Sequence, residues 1–157
     1  MRHKERWVLN RDNPEYQEYK MARDSIQLRN AYVFRSKAER ISDLYSGERV
    51  EFKFWLGHQK KFISEKEWRG CIKVDVIVTV KESQREIAKL SVECAGIFLI
   101  TDDSLDSAEA EERVNLQITP QLLPYARNAL TAMSSIMNIP PVILPTMDII
   151  KSIKNNR

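Results

Sequence analysis

Four stretches of this chain alternate between apolar and polar residues with a period of two, the pattern of strands whose two faces meet different surroundings. They are IQLRNAYVF from Ile26, VEFKFWL from Val50, IKVDVIVTV from Ile72 and AKLSVEC from Ala88. In each, most even-numbered residues are apolar, and across the four stretches the odd-numbered ones are largely polar. One face is therefore buried and the other wet, as in an antiparallel sheet covered on one side. The connector KESQRE, Lys81 to Glu86, reads as a tight hairpin. Gly47 and Gly57, near the ends of the second stretch, and Gly70, before the third, read as turn or bulge residues.

Beyond Cys94 the pattern changes. AGIFLI is apolar on both faces, and TDDSLDSAEAEER is a polar, acidic loop leading toward a possible helix start. Leu122, Tyr125, Ala126, Ala129, Leu130, Met133, Ile136 and Met137 then follow helical spacing. Pro120 and Pro124 fall before or within the first turn of that helix, where proline is tolerated, and Asn138 and Pro140 end it. MDIIKSIKNNR, from Met147, is expected to form a short final helix with Ile149, Ile150 and Ile153 on one face. The expected fold is α+β: a four-stranded antiparallel sheet with one face covered by C-terminal helices. Residues 1–24 are expected to be a polar arm and residues 25–157 the domain. The arm reads as flexible, with an amphipathic helix carrying Trp7, Tyr16 and Tyr19 as the alternative.

The segment NIPPVILPTM, Asn138 to Met147, is the least ordinary. Its three prolines forbid a helix interior or a central strand. Loops usually run over the surface and carry polar residues. This one carries Ile139, Val142, Ile143, Leu144 and Met147. Either it folds back onto the core, or it holds apolar surface ready for a partner.

Composition narrows the rest. At 157 residues the chain fits one domain. The net charge of +3 is mild and makes no strong case for nucleic acid. No apolar run is long enough to cross a bilayer, and the N-terminus lacks an apolar signal centre, so the cytoplasm is expected. Cys71 and Cys94 fall in strand-like stretches and read as reduced, buried thiols. Catalytic patterns are missing. No glycine-rich phosphate loop occurs. The two histidines, His3 and His58, lack ligands at metal spacing, and His58 reads as a surface residue. Asp102, Asp103 and Asp106 lack the spacing of a calcium loop. Neither an enzyme nor a cofactor is expected. Lys60, Lys61, Lys66, Arg69 and Lys73, with Phe62 and Trp68 among them, leave a basic nucleic-acid-binding module as a competing reading. Glu65 and Glu67 interrupt that run, which favours a solvated strand edge or loop.

SVECAGIFLI (from Ser91), LLPYARNALTAM (from Leu122) with the following SSIM, and the PPVILP loop occur in an order that resembles the SecB family of protein-export chaperones. The likeness covers roughly Ser25 to Ile150. It implies four antiparallel strands with helices on one face, a homotetramer built as a dimer of dimers, and a holdase that keeps unfolded clients soluble without ATP. Clients of that family lie in long apolar grooves, with the proline-rich loop as one wall. Carried onto this sequence, the candidate client-binding residues are Trp55, Phe98, Ile100, Leu105, Ile139, Val142, Ile143 and Leu144. Exporting members are acidic and dock the basic tail of the SecA motor through carboxylates on the outer sheet face. This chain is basic and its third strand carries Lys73, Asp75, Thr79 and Lys81 there, which weakens complementarity to a cationic tail. SecB-like chains also guard antitoxins, so the implied partners are unfolded clients, with SecA or an antitoxin as the dedicated one.

Overall fold

Four long β-strands and a 30-residue helix make up most of the molecule. The structure, a computed structural model, describes residues 14–144. The element order is α1 (Pro14–Ser25), β1 (Ile26–Arg40), β2 (Val50–Ser64), β3 (Glu67–Val80), β4 (Glu86–Ile100) and α2 (Ser107–Ile136). The strands form one antiparallel sheet in the order β1-β4-β3-β2. The final helix expected after Met147, and Trp7 of the arm, lie outside the described residues. Tyr16 and Tyr19 lie on α1, so residues 14–25 are helical, and this helix packs on the chain's own α2.

The alternation in β3 and β4 maps directly onto the two sheet faces. Ile72, Val74, Val76 and Val78 pair with Cys94, Val92, Leu90 and Ala88 on the side that meets α2. From the helix come Val114, Ile118, Leu122, Ala126 and Leu130, all buried. A Cβ on Gly70 would stand 2.5 Å from Phe98 and 2.9 Å from Ile118, so the missing side chain lets strand and helix close up. Gly47 sits in a turn with φ of 83°, where an L side chain is strained. Gly57 differs from expectation: β2 runs straight through it, and no turn is made there.

Every strand is longer than its alternation suggested. β1 gains its length through two register shifts, between Arg29 and Tyr32 and between Val33 and Arg35. At the first, Asn30 takes φ of 52°, a left-handed conformation that Asn tolerates. The bulge reverses the parity: Leu28 faces the helix, yet Tyr32 pairs with Ala95 on the opposite face.

α2 begins 15 residues before the first residue of the expected apolar stripe, and both prolines are internal to it. The start is set by Asp106, whose side chain accepts from the Glu109 N–H at 2.8 Å. Each internal proline removes one helical hydrogen bond, a cost of about 3 kcal/mol. Burial of Val114, Leu116, Ile118, Leu122 and Leu123 around them offsets it. The end is a Schellman motif. Ile139 N–H donates to the Ser134 carbonyl, Asn138 N–H donates to that of Ser135, and Asn138 holds φ of 52°.

α1 packs across α2. Gln117, fully buried, donates to the Tyr19 carbonyl and accepts from Gln121 at 2.9 Å. Arg113 donates to the Ser25 hydroxyl at 2.5 Å, and the Ser25 carbonyl accepts from the N–H and hydroxyl of Thr101. Among the described residues no helix is long and apolar enough to cross a membrane.

Candidate functional site

The eight candidate client-binding residues fall in three places. Trp55 is at an odd position of β2, on the sheet face away from α2, and is 52% exposed. It ends a row that crosses all four strands, Lys37–Ser91–Asp75–Trp55. Beside this row lies a depression of about 250 Å³, walled by Trp55, Lys37 and Glu39 and floored around Asp75, Ile77 and Ser91. Gly57, two residues along on the same face, leaves open space next to the indole. The depression is wide enough for one apolar side chain, with the Lys37 ammonium and the Asp75 carboxylate at hand for backbone groups.

The proline-rich loop supplies the second place. Its chain is seated by Val142 N–H, which donates to the Ser134 hydroxyl at 3.2 Å while that hydroxyl donates to the Leu130 carbonyl at 2.7 Å. Ile139, Val142 and Leu144 consequently turn inward and join the core; Ile143 turns outward and is 72% exposed. The loop thus folds back onto the core through three of its side chains and leaves Ile143 at the surface. Exposed Ile136 at the end of α2 adds further apolar surface.

The third place is the crossover from β4 to α2. Ile100 and Leu105 line a cavity of about 310 Å³ with Lys66, Asp102, Asp103 and Asp106. It is walled mainly by carboxylates and polar backbone. Asp103 pairs with Lys66 at 2.6 Å, and the carboxyl of Asp102 is held below its usual range by bonds from the Ser104 hydroxyl and N–H. Phe98 joins none of the three: its ring lies wholly in the core, opposite Trp68 and against Gly70. Even parity on β4 aims it at the helix. The structure therefore does not gather the eight residues into one groove.

Sequence spacing missed other exposed apolar groups. Tyr32, Val33 and Phe34 stand out along the open edge of β1. β1 is an edge strand, and its two register shifts put Tyr32 and Phe34 on the face away from α2; the left-handed tolerance of Asn30 was the local signal for the first shift.

The basic stretch around the β2–β3 turn divides by parity. Lys60 lies on the helix side, paired with Glu111 of α2 at 2.8 Å and 5.8 Å over the Trp68 ring. Phe62 packs edge-on against Trp68. Lys61, Arg69 and Lys73 face the other way. The cations and aromatics of this stretch are therefore split between two faces and form no single strip for a nucleic-acid strand to follow. His58 also differs from expectation. It is on the helix side and half-buried, and its pKa is lowered, first by burial and then by the Lys60 charge. Cys71 and Cys94 are both free; burial pushes the Cys94 thiol up to about 11.

With strand order, helix placement and these surfaces fixed, the likeness to solved structures is decisive for the fold. A SecB-like chaperone of Mycobacterium tuberculosis, Rv1957, solved in complex with a ChAD peptide from the Rv1956 HigA1 antitoxin, superposes with a TM-score of 0.69. The match covers 84% of this chain and 97% of that one, at 12% identity. This chain has a SecB-like fold. A protein of unknown function from Streptococcus agalactiae also aligns, over 76% of this chain, at 13% identity and a TM-score of 0.43. No protein-family model and no curated protein matches the sequence. The SecB-like fold is thus carried by topology and packing, at an identity too low to transfer individual residues.

Proposed function

We propose that this SecB-like chain is an ATP-independent chaperone that holds unfolded polypeptide segments, working in the cytoplasm as a homotetramer. The observation that carries the reading is Trp55: a half-exposed indole on the sheet face away from α2, bordering an unfilled depression. Large exposed apolar groups on a folded surface mark interaction sites. Trp55 and Ile143 are the contact residues. Leu105 presents a lesser surface at the crossover, with Ile100 buried behind it. Phe98, Ile139, Val142 and Leu144 support these surfaces from beneath. Each apolar client side chain that such a site covers contributes about 1.5–3 kcal/mol at most. Several weak contacts along one chain then combine through effective concentration.

A chaperone dedicated to an antitoxin is the more specific form of this reading. The antitoxin peptide held by the Mycobacterium tuberculosis chaperone supports it. The basic balance of this chain speaks against export through a cationic SecA tail.

The test is aggregation of a chemically unfolded client diluted into buffer without nucleotide, with native mass measured in parallel. The wild-type protein is expected to suppress light scattering, and the double variant Trp55→Asp, Ile143→Asp to lose most of that protection at unchanged mass and circular dichroism. Undiminished protection by the double variant would remove Trp55 and Ile143 from the site. A wild-type protein that protects no client would remove the function.

A further inference from the structure

The sheet face away from α2 is not uniform in charge. At the end nearer the β2–β3 turn, two neighbouring cross-strand rows contain no carboxylate. One is Arg29–Ile97–Arg69–Lys61 and the other Tyr32–Ala95–Cys71–Gln59. None of Arg29, Arg69 and Lys61 forms an ion pair with a described residue. In the next row Glu93 is already engaged by Arg35 at 3.2 Å. The floor between the cations is apolar: Ile97, Ala95 and Cys71. Tyr32 and Phe34 rise along the β1 side, 47% and 42% exposed. The Arg69 guanidinium lies 5.5 Å over the Phe34 ring, which holds it above the sheet.

We propose that this end of the face docks an extended acidic peptide segment of a partner protein. Strands lie about 4.8 Å apart, so Arg69 and Lys61 are about 5 Å apart across the sheet and Arg29 and Arg69 about 10 Å. A peptide in the extended polyproline II conformation, with three residues per turn and a rise of about 3.1 Å per residue, places two carboxylates three positions apart on one side of itself, about 9 Å apart, over Arg29 and Arg69. Lys61 receives any further carboxylate.

Charge complementarity selects this occupant over others. The segments MRHKERW and KSIKNNR of this chain are basic and do not complement the patch. A nucleic-acid strand fits less well. The cationic zone is short, with Glu67 and Asp75 beyond its two ends on β3. Its two exposed aromatics share one edge strand, and Phe34 is already covered by Arg69. Base stacking along a backbone track has no platform there.

The test uses the full chain and three probes of equal length. These are a ten-residue peptide with two Glu three positions apart and a Leu between them, its Glu→Gln twin, and a ten-nucleotide thymidine strand. Isothermal titration at two salt concentrations is expected to show the acidic peptide binding at least about tenfold more tightly than its twin, with the difference shrinking at high salt. The double variant Arg69→Glu, Lys61→Glu is expected to lose that preference. Arg69→Gln, Lys61→Gln provides a milder version that preserves the fold if the reversal perturbs it. Lys53→Glu, on the same face but outside the patch, should bind as wild type. Equal binding of the twin, or a preference retained in both double variants, overturns the proposal. Tighter binding of the thymidine strand at the same salt would assign the patch to nucleic acid instead. Docking here is separate from client holding at Trp55, so both double variants should still protect a neutral client.

Discussion

The division of the proline-rich loop into inward and outward residues gives a sharp test. Val142 is 2% exposed, packs into the core and donates its N–H to Ser134; its neighbour Ile143 is 72% exposed. Val142→Ala removes two carbon groups from a close-packed site. At about 0.8 kcal/mol each, the transfer contribution is about 1.6 kcal/mol, and the cavity left behind raises the loss to about 2–3 kcal/mol. Ile143→Ala removes groups already in water and should change stability by no more than about 0.5 kcal/mol. With a urea dependence of about 2 kcal/mol per molar, the first variant moves the unfolding midpoint down by about 1–1.5 M and the second by about 0.25 M or less. The assay is equilibrium urea unfolding followed by circular dichroism at a fixed protein concentration. The client-protection assay should rank the two oppositely, with Ile143→Ala the weaker chaperone. Equal midpoints for the two variants would refute the seating of this loop and, with it, the division of labour assigned to its side chains.

Three further outcomes follow from the packing and the titrating groups. Ser134→Ala strips the buried Val142 N–H of its acceptor, an expected loss of about 1–3 kcal/mol in the same urea experiment. Gly70→Ala forces a methyl against Phe98 and Ile118 and should cost about 1–3 kcal/mol through overpacking; an unchanged midpoint would contradict the close approach of β3 and α2. The folded-state pKa of His58 is lowered from 6.5, so the unfolded chain takes up a proton first as the pH falls. Stability should therefore decline as the pH drops below about 6.5 toward the folded-state value, and His58→Gln should flatten that part of the stability–pH curve.

The parts of the fold that sequence pattern exposes are those where one interaction dominates. In β3 every even residue from Ile72 to Val80 meets the helix, so burial writes a clean alternation. β1 is an edge strand whose outer half is exposed on both sides, and burial leaves little imprint from Tyr32 to Arg40. The bulge at Asn30 then reverses its parity without any change in apolar content. α2 was half hidden because Pro120 and Pro124 carry strong local signals against a helix interior. Tertiary burial of Val114 to Leu123 outweighs them, and no window of local sequence contains the sheet that provides it. The exposure of Trp55 was legible, because its indole breaks the polar set of an alternating strand. It was not legible within the loop, because Val142 and Ile143 are equally apolar and only a hydroxyl on α2 decides which turns inward. The division of the basic stretch was readable in principle. Extending the β2 alternation past Gly57 puts Lys60 and Lys61 on opposite faces.

The passage from α1 to β1 contains no loop: Ser25 is the last helical residue and Ile26 already pairs with Ile100. A junction without slack cannot absorb motion. Were α1 pulled or tilted, its bonds at Ser25 to Arg113 and Thr101 and at Tyr19 to Gln117 would be strained together, and the sheet's outermost strand would move with it. Mechanical load applied at one end of the polypeptide is thereby delivered straight to the rim that carries Tyr32 and Phe34.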